Sequence, residues 1–465
     1  MKRNLLLLCL IMNLVPVLAA KRNVPGDYPK IQQAINASVN GDTIVVAPGT
    51  YFENINFRGR NVLLTSLFYL DRDTSYITST IINGSTPADP DTASCVIFNS
   101  GEDSTAILQG FTLMGGLGTQ WVDIHGAGIF REGGGVIIEL SSPTVRFNII
   151  RNNQAINTQN MNGAGGGGIR IGDGNPVIED NIITGNQGQY GPGIVLNYTG
   201  CRIRNNIIAG NSGGLTYNGG SGIWMAGDHS LNLPKIIENN TIVNNYANAG
   251  ATGGIALLSA TNVTLRNNII WGNIPEAQQI KPAGSTFTVD WCDVQGGFTG
   301  DGNLNEDPQF DPGCYTLNPG SPCIDAGDSN AIYNDLLSAP GVAKFPSMGT
   351  GRNDIGAFGG PGAFLLACHQ WTAGIELQAG IPNEILVYPN PSSGRLVIER
   401  TRTDPPDERV ELVTLSGELV KTGTIAGKTM EINIADLPDG VYMLHVTGIR
   451  IPQAVKVIKT GSYLK

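Results

Sequence analysis

VRFNIIRNN (145–153), IEDNIITGN (178–186), IRNNIIAGN (203–211), IENNTIVNN (237–245) and LRNNIIWGN (265–273) are one phrase written five times. An aliphatic residue is followed three positions on by Asn, two further by a second aliphatic and three further by a second Asn. Aligned, the phrase stacks Val145, Ile178, Ile203, Ile237 and Leu265, then Asn148, Asn181, Asn206, Asn240 and Asn268. Ile150, Ile183, Ile208, Ile242 and Ile270 follow, then Asn153, Asn186, Asn211, Asn245 and Asn273. Successive ladder Asn residues lie 33, 25, 34 and 28 apart. Each unit also holds a Gly-rich entry to a further apolar strand, as in Gly166-Gly167-Gly168-Ile169, Gly191-Pro192-Gly193-Ile194 and Gly220-Ser221-Gly222-Ile223. Repeats of this length, with short apolar runs and almost no helical periodicity, read as coils of a parallel β-helix.

In such a coil each strand pairs with its counterpart one turn above and below, about 4.8 Å away, so like stacks on like. Inward positions fill a narrow dry core, which suits Ile and Val. Where the chain turns inward, a stacked Asn tolerates left-handed dihedrals and hydrogen-bonds its neighbour's amide side chain. A buried amide without that partner is costly. The Asn columns therefore hold the fold and form no site.

Residues 1–20 read as a secretory leader: Lys2-Arg3, an apolar run from Leu5 to Leu18 interrupted by Asn13 and Pro16, then Ala19-Ala20. The run is short for a membrane span, and no other segment has the length and apolarity of a transmembrane helix. Without the leader, 27 basic residues face 39 acidic ones, a net charge of −12 with His neutral. That balance argues against nucleic acid and anionic lipid as partners. Cys95, Cys201, Cys292, Cys314, Cys323 and Cys368 remain, an even number that permits disulfides in an exported chain. Cys201 takes the coil position of Pro176 one turn earlier, which suits a buried free thiol equally.

Ile31, Ala34 and Ile35 stand at helical spacing within DYPKIQQAINAS (27–38), so a short amphipathic helix is expected to cover the open first coil. The pattern assigns the β-helix to 21–300, a loop-rich closing segment to 301–358 and a linker to 359–384. Over 385–465, alternating strands with turn signals at Ser392-Ser393-Gly394, Ser416-Gly417 and Pro438-Asp439-Gly440 predict a small Ig-like β-sandwich. The fold class is all-β.

Asp27 to Asn54 resembles the opening of pectin-lyase-like right-handed β-helix proteins, pectinesterases among them, and Asn305 to Phe358 resembles the closing segment of secreted bacterial members. Val387-Tyr388-Pro389-Asn390-Pro391, Gly394, Leu415-Ser416-Gly417 and Leu437-Pro438-Asp439-Gly440-Val441-Tyr442 resemble the C-terminal sorting domain of type IX secretion substrates. The second resemblance implies export across an outer membrane by that machinery, with the tail as an address exchanged for a surface anchor. The protein is then secreted or attached to the outer surface. The first invites a test for esterase chemistry. Gly49-Thr50-Tyr51-Phe52-Glu53 fits the family's first motif, but the Gln-Asp-Thr-Leu, Asp-Phe-Ile-Phe-Gly and Leu-Gly-Arg-Pro-Trp motifs are missing. Glu53 then reads as part of the first turn.

Lyases of this resemblance class bind acidic sugars through calcium and use Arg or Lys as base. Here Arg146, Glu179, Arg204, Glu238 and Arg266 alternate in sign through five coils, a self-neutralising ladder. The strand after each Gly-rich entry is more open. With Ile129, Ile169, Ile194, Ile223 and Ile255 inward, Phe130, Arg170, Val195, Trp224 and Ala256 point outward on one face. Phe130, Arg170 and Trp224 are the candidate sugar-binding residues. Asp173, Asp228 and His229 in loops beside that face are the catalytic candidates, and Asp123 and His125 precede it. Ordinary loop polarity with two exposed aromatics is the simpler account of these residues, and lone carboxylates make no acid/base pair until their separation is known. Asp307, Asp311, Asp325, Asp328 and Asp354 are oxygen ligands of the type calcium prefers, of which Asp325, Asp328 and Asp354 are the calcium candidates, yet no spacing matches a known loop. Asp also simply makes turns. The reading is a monomeric exported β-helix that binds polysaccharide, with a carbohydrate-active enzyme (lyase or glycoside hydrolase) and a non-catalytic adhesin or scaffold as alternatives.

Overall fold

The structure is a computed structural model that describes residues 19–157, 161–214, 219–227, 232–247, 251–275, 278–311 and 314–366. Of the tail it describes 385–388, 394–400, 408–414, 419–425, 427–438, 440–447 and 453–459. The leader run and the expected linker from 367 onward lie outside these residues. The chain divides into two compact units, 1–368 and 369–465.

In the first unit, segments too short to stand alone gain stability by stacking. Among the described residues a first sheet stacks ten parallel strands from Lys21–Val24 to Phe287–Asp290. A second stacks nine from Gly49–Tyr51 to Asp293–Val294, and a third eight from Ile55–Asn56 to Ile280–Ala283. The chain visits the three in turn, coil after coil, and the unit is a right-handed parallel β-helix. Registers keep the repeat columns aligned: Val145 sits on Ile178, Ile178 on Ile203, Ile203 on Ile237 and Ile237 on Leu265. Ile169, Ile194, Ile223, Ile255 and Ile280 stack likewise in the third sheet. All are buried in one continuous core.

The amide columns form two hydrogen-bonded chains. Nδ2 of Asn148, Asn181, Asn206 and Asn240 each donates to Oδ1 of the Asn one coil further on, at 3.1, 3.0, 3.0 and 3.0 Å. Asn153, Asn186, Asn211 and Asn245 do the same at 3.1, 3.0, 2.9 and 2.9 Å. The first chain ends on Cys292 Sγ and the second on Gln279 Oε1. The left-handed backbone expected at the ladder Asn falls instead on the residue before it: Phe147, Asp180, Asn205, Asn239 and Asn267, with φ of 53, 53, 53, 51 and 54°. The preceding residue makes the bend, and the Asn enters the core aligned with its neighbours.

At the N-terminal end the helix Ile31–Ala37 buries Ile31, Ala34 and Ile35. Lys30 offers no side-chain cap; Glu53 supplies it from the next coil, its two oxygens accepting from Ile31 N (2.9 Å) and Gln32 N (3.0 Å). At the other end, residues 353–359 run back along the first corner. Asn205 Nδ2 donates to the carbonyls of Ala357 (3.0 Å) and Gly359 (2.8 Å), and Ala357 N donates to Thr241 Oγ1 (3.0 Å). Cys95, Cys201, Cys292 and Cys323 are buried free thiols, and Cys314 is disulfide-bonded.

One coil departs from the expected pattern. Ile129–Glu132 is no third-sheet strand; it pairs antiparallel with Gly118–Val122, Trp121 opposite Phe130 and Val122 opposite Ile129. The third-sheet strand of this coil is Val136–Glu139, with Val136 on Ile169 and Ile137 on Arg170. Its entry is Gly133-Gly134-Gly135, where Cβ atoms added at 134 and 135 would collide with carbonyls of the adjoining coil, Gly167 O at 2.4 Å and Gly168 O at 2.6 Å.

In the second unit, Ile385–Tyr388, Arg395–Arg400 and Thr429–Asn433 form one antiparallel sheet; Leu419–Ile425, Glu408–Thr414, Gly440–Thr447 and Gln453–Lys459 form another. Leu396, Ile398, Val410, Leu412, Ile432, Leu444 and Val457 share one core between them.

Candidate functional site

The third sheet's outward column runs Ile97, Ile137, Arg170, Val195, Trp224, Ala256 and Lys281. Arg170 and Trp224 thus share a face as expected, but Phe130 belongs to the hairpin that covers it. Trp224 is 7 % exposed and Arg170 0 %. Trp224 packs with Tyr190, Val195, Ala256 and Phe130 in a cluster outside the coils, its ring 4.7 Å from that of Tyr190. These residues form a second small core.

Arg170 is the centre of a buried polar network. Its Nε donates to Glu132 Oε2 at 3.1 Å, its Nη1 pairs with Glu139, and its guanidinium lies 3.8 Å from the Trp121 ring centroid. Trp121 Nε1 donates to Glu132 Oε2 at 2.8 Å, and the Tyr190 hydroxyl donates to Glu132 Oε1. Burial pulls the guanidinium pKa down while the Glu132 charge opposes that pull. A cation walled in by two carboxylates and an indole holds the hairpin on the sheet and has no face left for a ligand.

Beside it lies the arrangement open to solvent. The hairpin turn carries Asp123 and His125, with His125 N donating to Asp123 Oδ1 at 2.7 Å. The imidazole Nε2 meets Asp173 Oδ1 at 2.8 Å, and the ring stacks on Tyr198 with centroids 3.8 Å apart and planes 22° apart. Asp173 and Tyr198 occupy the corner after the third strand in adjacent coils, both left-handed with φ of 49°. In the neutral imidazole, donation from Nε2 to the carboxylate leaves Nδ1 as the accepting nitrogen. The His125 side chain is 28 % exposed. Burial, then the charges of Asp123 and Asp173, hold the Tyr198 hydroxyl above its ordinary pKa.

Of the catalytic candidates, Asp173 therefore joins a cluster, with His125 and Asp123, while Asp228 and His229 lie outside the described residues. Tyr198, Trp121, Tyr190 and Glu132 went unmarked in the sequence. Tyr198 had one signal: it follows the third strand by one residue, as Asp173 does a coil earlier.

The calcium candidates serve the closing segment. Asp325 Oδ1 accepts from Thr350 Oγ1 at 2.6 Å, Asp328 pairs with Arg266, and Asp354 accepts from the backbone of Asp325 (2.8 Å) and Met348 (2.7 Å). Among the described residues, no three or more His, Cys, Asp or Glu gather in a way that could hold a metal. A cavity of about 170 Å³ opens where this segment meets the first sheet, near Arg202, Arg204, Glu238 and Tyr333. Its charges are spoken for: Arg204 pairs with Glu179 at 2.7 Å and Arg202 with Glu238 at 3.7 Å.

Comparison with known proteins separates the two units. Residues 386–460 match the family described as the secretion system C-terminal sorting domain. The chain is thus a β-helix exported by type IX secretion, either secreted or attached at the cell surface. No described helix is long and apolar enough to cross a membrane. A pectin methylesterase variant solved in complex with a hexasaccharide is similar at 10 % identity and a TM-score of 0.31, covering 60 % of this chain and 90 % of its own. A pectin methylesterase from carrot is similar at 13 % identity and a TM-score of 0.26, covering 62 % and 83 %. At these identities neither lends its chemistry to this chain. No curated protein matches it.

Proposed function

We propose that this exported β-helix binds polysaccharide at the cell surface or beyond it, through the corner formed by His125, Asp173 and Tyr198. The observation that supports this reading is the His125–Tyr198 stack held at 3.8 Å beside two carboxylates. Flat rings take the C–H faces of sugars, and carboxylates accept from sugar hydroxyls. Binding of the purified protein to a panel of polysaccharides tests it. Tyr198→Ala should weaken binding by roughly 1–3 kcal/mol without lowering the melting temperature. Unchanged affinity would place the ligand elsewhere. The expected monomer is checked in the same preparation by light scattering.

A second reading, a carbohydrate-active enzyme, is favoured by the His125–Asp173 pair, because a carboxylate that fixes the imidazole tautomer prepares Nδ1 as a general base. Release of reducing ends or unsaturated products by the purified protein, lost in His125→Ala, would distinguish it from a non-catalytic adhesin.

A further inference from the structure

The hairpin that carries His125 ends in an apolar tip. Val122 and Ile129 face each other across it, and Val122 and Ile124 are 64 % and 61 % exposed. Branched aliphatics held in water beside a polar cluster add nothing to the core, and their burial by a ligand is favourable. Among the described residues the charge around them is one-sided. Arg170 is matched by Glu132 and Glu139 and Arg131 by Asp91, while Asp123 and Asp173 flank His125. Asp173 Oδ2 is buried and accepts no hydrogen bond among the described residues.

We propose that this site selects uncharged sugars that carry a methyl group, as N-acetyl and 6-deoxy sugars do, and rejects uronic and sulfated ones; the inference rests on the glycan-binding reading above. His125, held by Asp123 and Asp173, and the Tyr198 hydroxyl bond the sugar hydroxyls, the exposed imidazole takes the ring face, and Val122 and Ile124 cover the methyl. A sugar carboxylate at the same place meets two like charges in a partly desolvated corner, and the acidic chain as a whole repels a polyanion.

The test titrates the exported full chain with four probes: N-acetylchitohexaose, an oligorhamnoside, a β-glucan hexamer and oligogalacturonate. One or both methyl-bearing probes should bind, telling amide from deoxy methyl, with the glucan about tenfold weaker, as loss of one apolar group implies. Oligogalacturonate should bind least, and better at about 0.2 M salt than at about 0.02 M. Ile124→Ser should bring the methyl-bearing probe down to the glucan level and leave the melting temperature unchanged, because the side chain is exposed. Oligogalacturonate or glucan binding as tightly as the methyl-bearing probes, or an unaltered Ile124→Ser, overturns the selectivity alone if Tyr198→Ala still weakens binding. Affinity unchanged by Tyr198→Ala, or no binding to any probe, overturns the site itself.

Discussion

A single Asn in this fold works in two directions at once. Asn206 donates from Nδ2 to Ile178 O (2.9 Å), Arg204 O (2.8 Å) and Asn240 Oδ1 (3.0 Å), while its own Oδ1 accepts from Asn181 Nδ2 (3.0 Å). Asn206→Ala should cost about 2–3 kcal/mol, read from chemical denaturation, since buried groups on both sides lose partners. Asn206→Asp should cost more, because a carboxylate cannot donate to two carbonyls. Arg170 carries a parallel risk. Arg170→Ala leaves Glu132 and Glu139 without their cation and should destabilise by about 3–5 kcal/mol. The columns were legible in the sequence because identical residues recur at the coil period. The left-handed positions were not, since Phe147 breaks their Asp/Asn column and in three coils the bending Asn205, Asn239 or Asn267 stands directly before a ladder Asn.

At the level of strands and segments, the charge ladder is partly as read: Glu179 lies 3.7 Å from Arg146 and 2.7 Å from Arg204. Further along, Glu238 pairs with Arg202, and Arg266 with Asp290 and Asp328, so the column bends toward its neighbours. Arg204→Glu would put three carboxylates on adjacent rungs and should destabilise by roughly 1–2 kcal/mol, somewhat less at high salt because position 204 is partly exposed. A melt identical to the parent protein's would show the column is not stacked. The closing segment responds to protons. Burial, then the charge of Asp354, pushes Asp335 up to about 8, and burial pushes Asp354 up to about 7. Both exceed the value near 4 of an unfolded chain, so the folded segment holds more protons between about pH 4 and 8. Its stability is greatest below that window and falls as pH rises through it. Hydrogen exchange across 325–360, corrected for intrinsic rates, should show weaker protection at about pH 8.5 than at pH 6, and Asp335→Asn should flatten the difference. The hairpin was misread for a plain reason: Gly128-Ile129 and Gly135-Val136 offer the same local signal, and only coil register distinguishes them.

Across the whole chain, two units with separate cores predict separable behaviour. Deleting 385–465 should leave the β-helix folded by circular dichroism while export fails; normal surface display of the truncated protein would contradict the sorting role. The candidate site exists only at this scale. His125 comes from an excursion in one coil, Asp173 from the next and Tyr198 from the one after, so no linear motif contains it. The amide chains have a consequence for how such a molecule changes size. Each rung hands the next an identical donor and acceptor, and special chemistry enters only where Cys292 and Gln279 stop the run. Length is therefore quantised. Copying the 25 residues that separate Asn181 from Asn206 would add one turn, about 4.8 Å, with the amide ladder continued, whereas an insert that is not a whole turn fits only in a corner, as the 25- to 34-residue spacings show, and inside a strand would break register. Tandem duplication inside the gene is the edit this architecture accepts most readily.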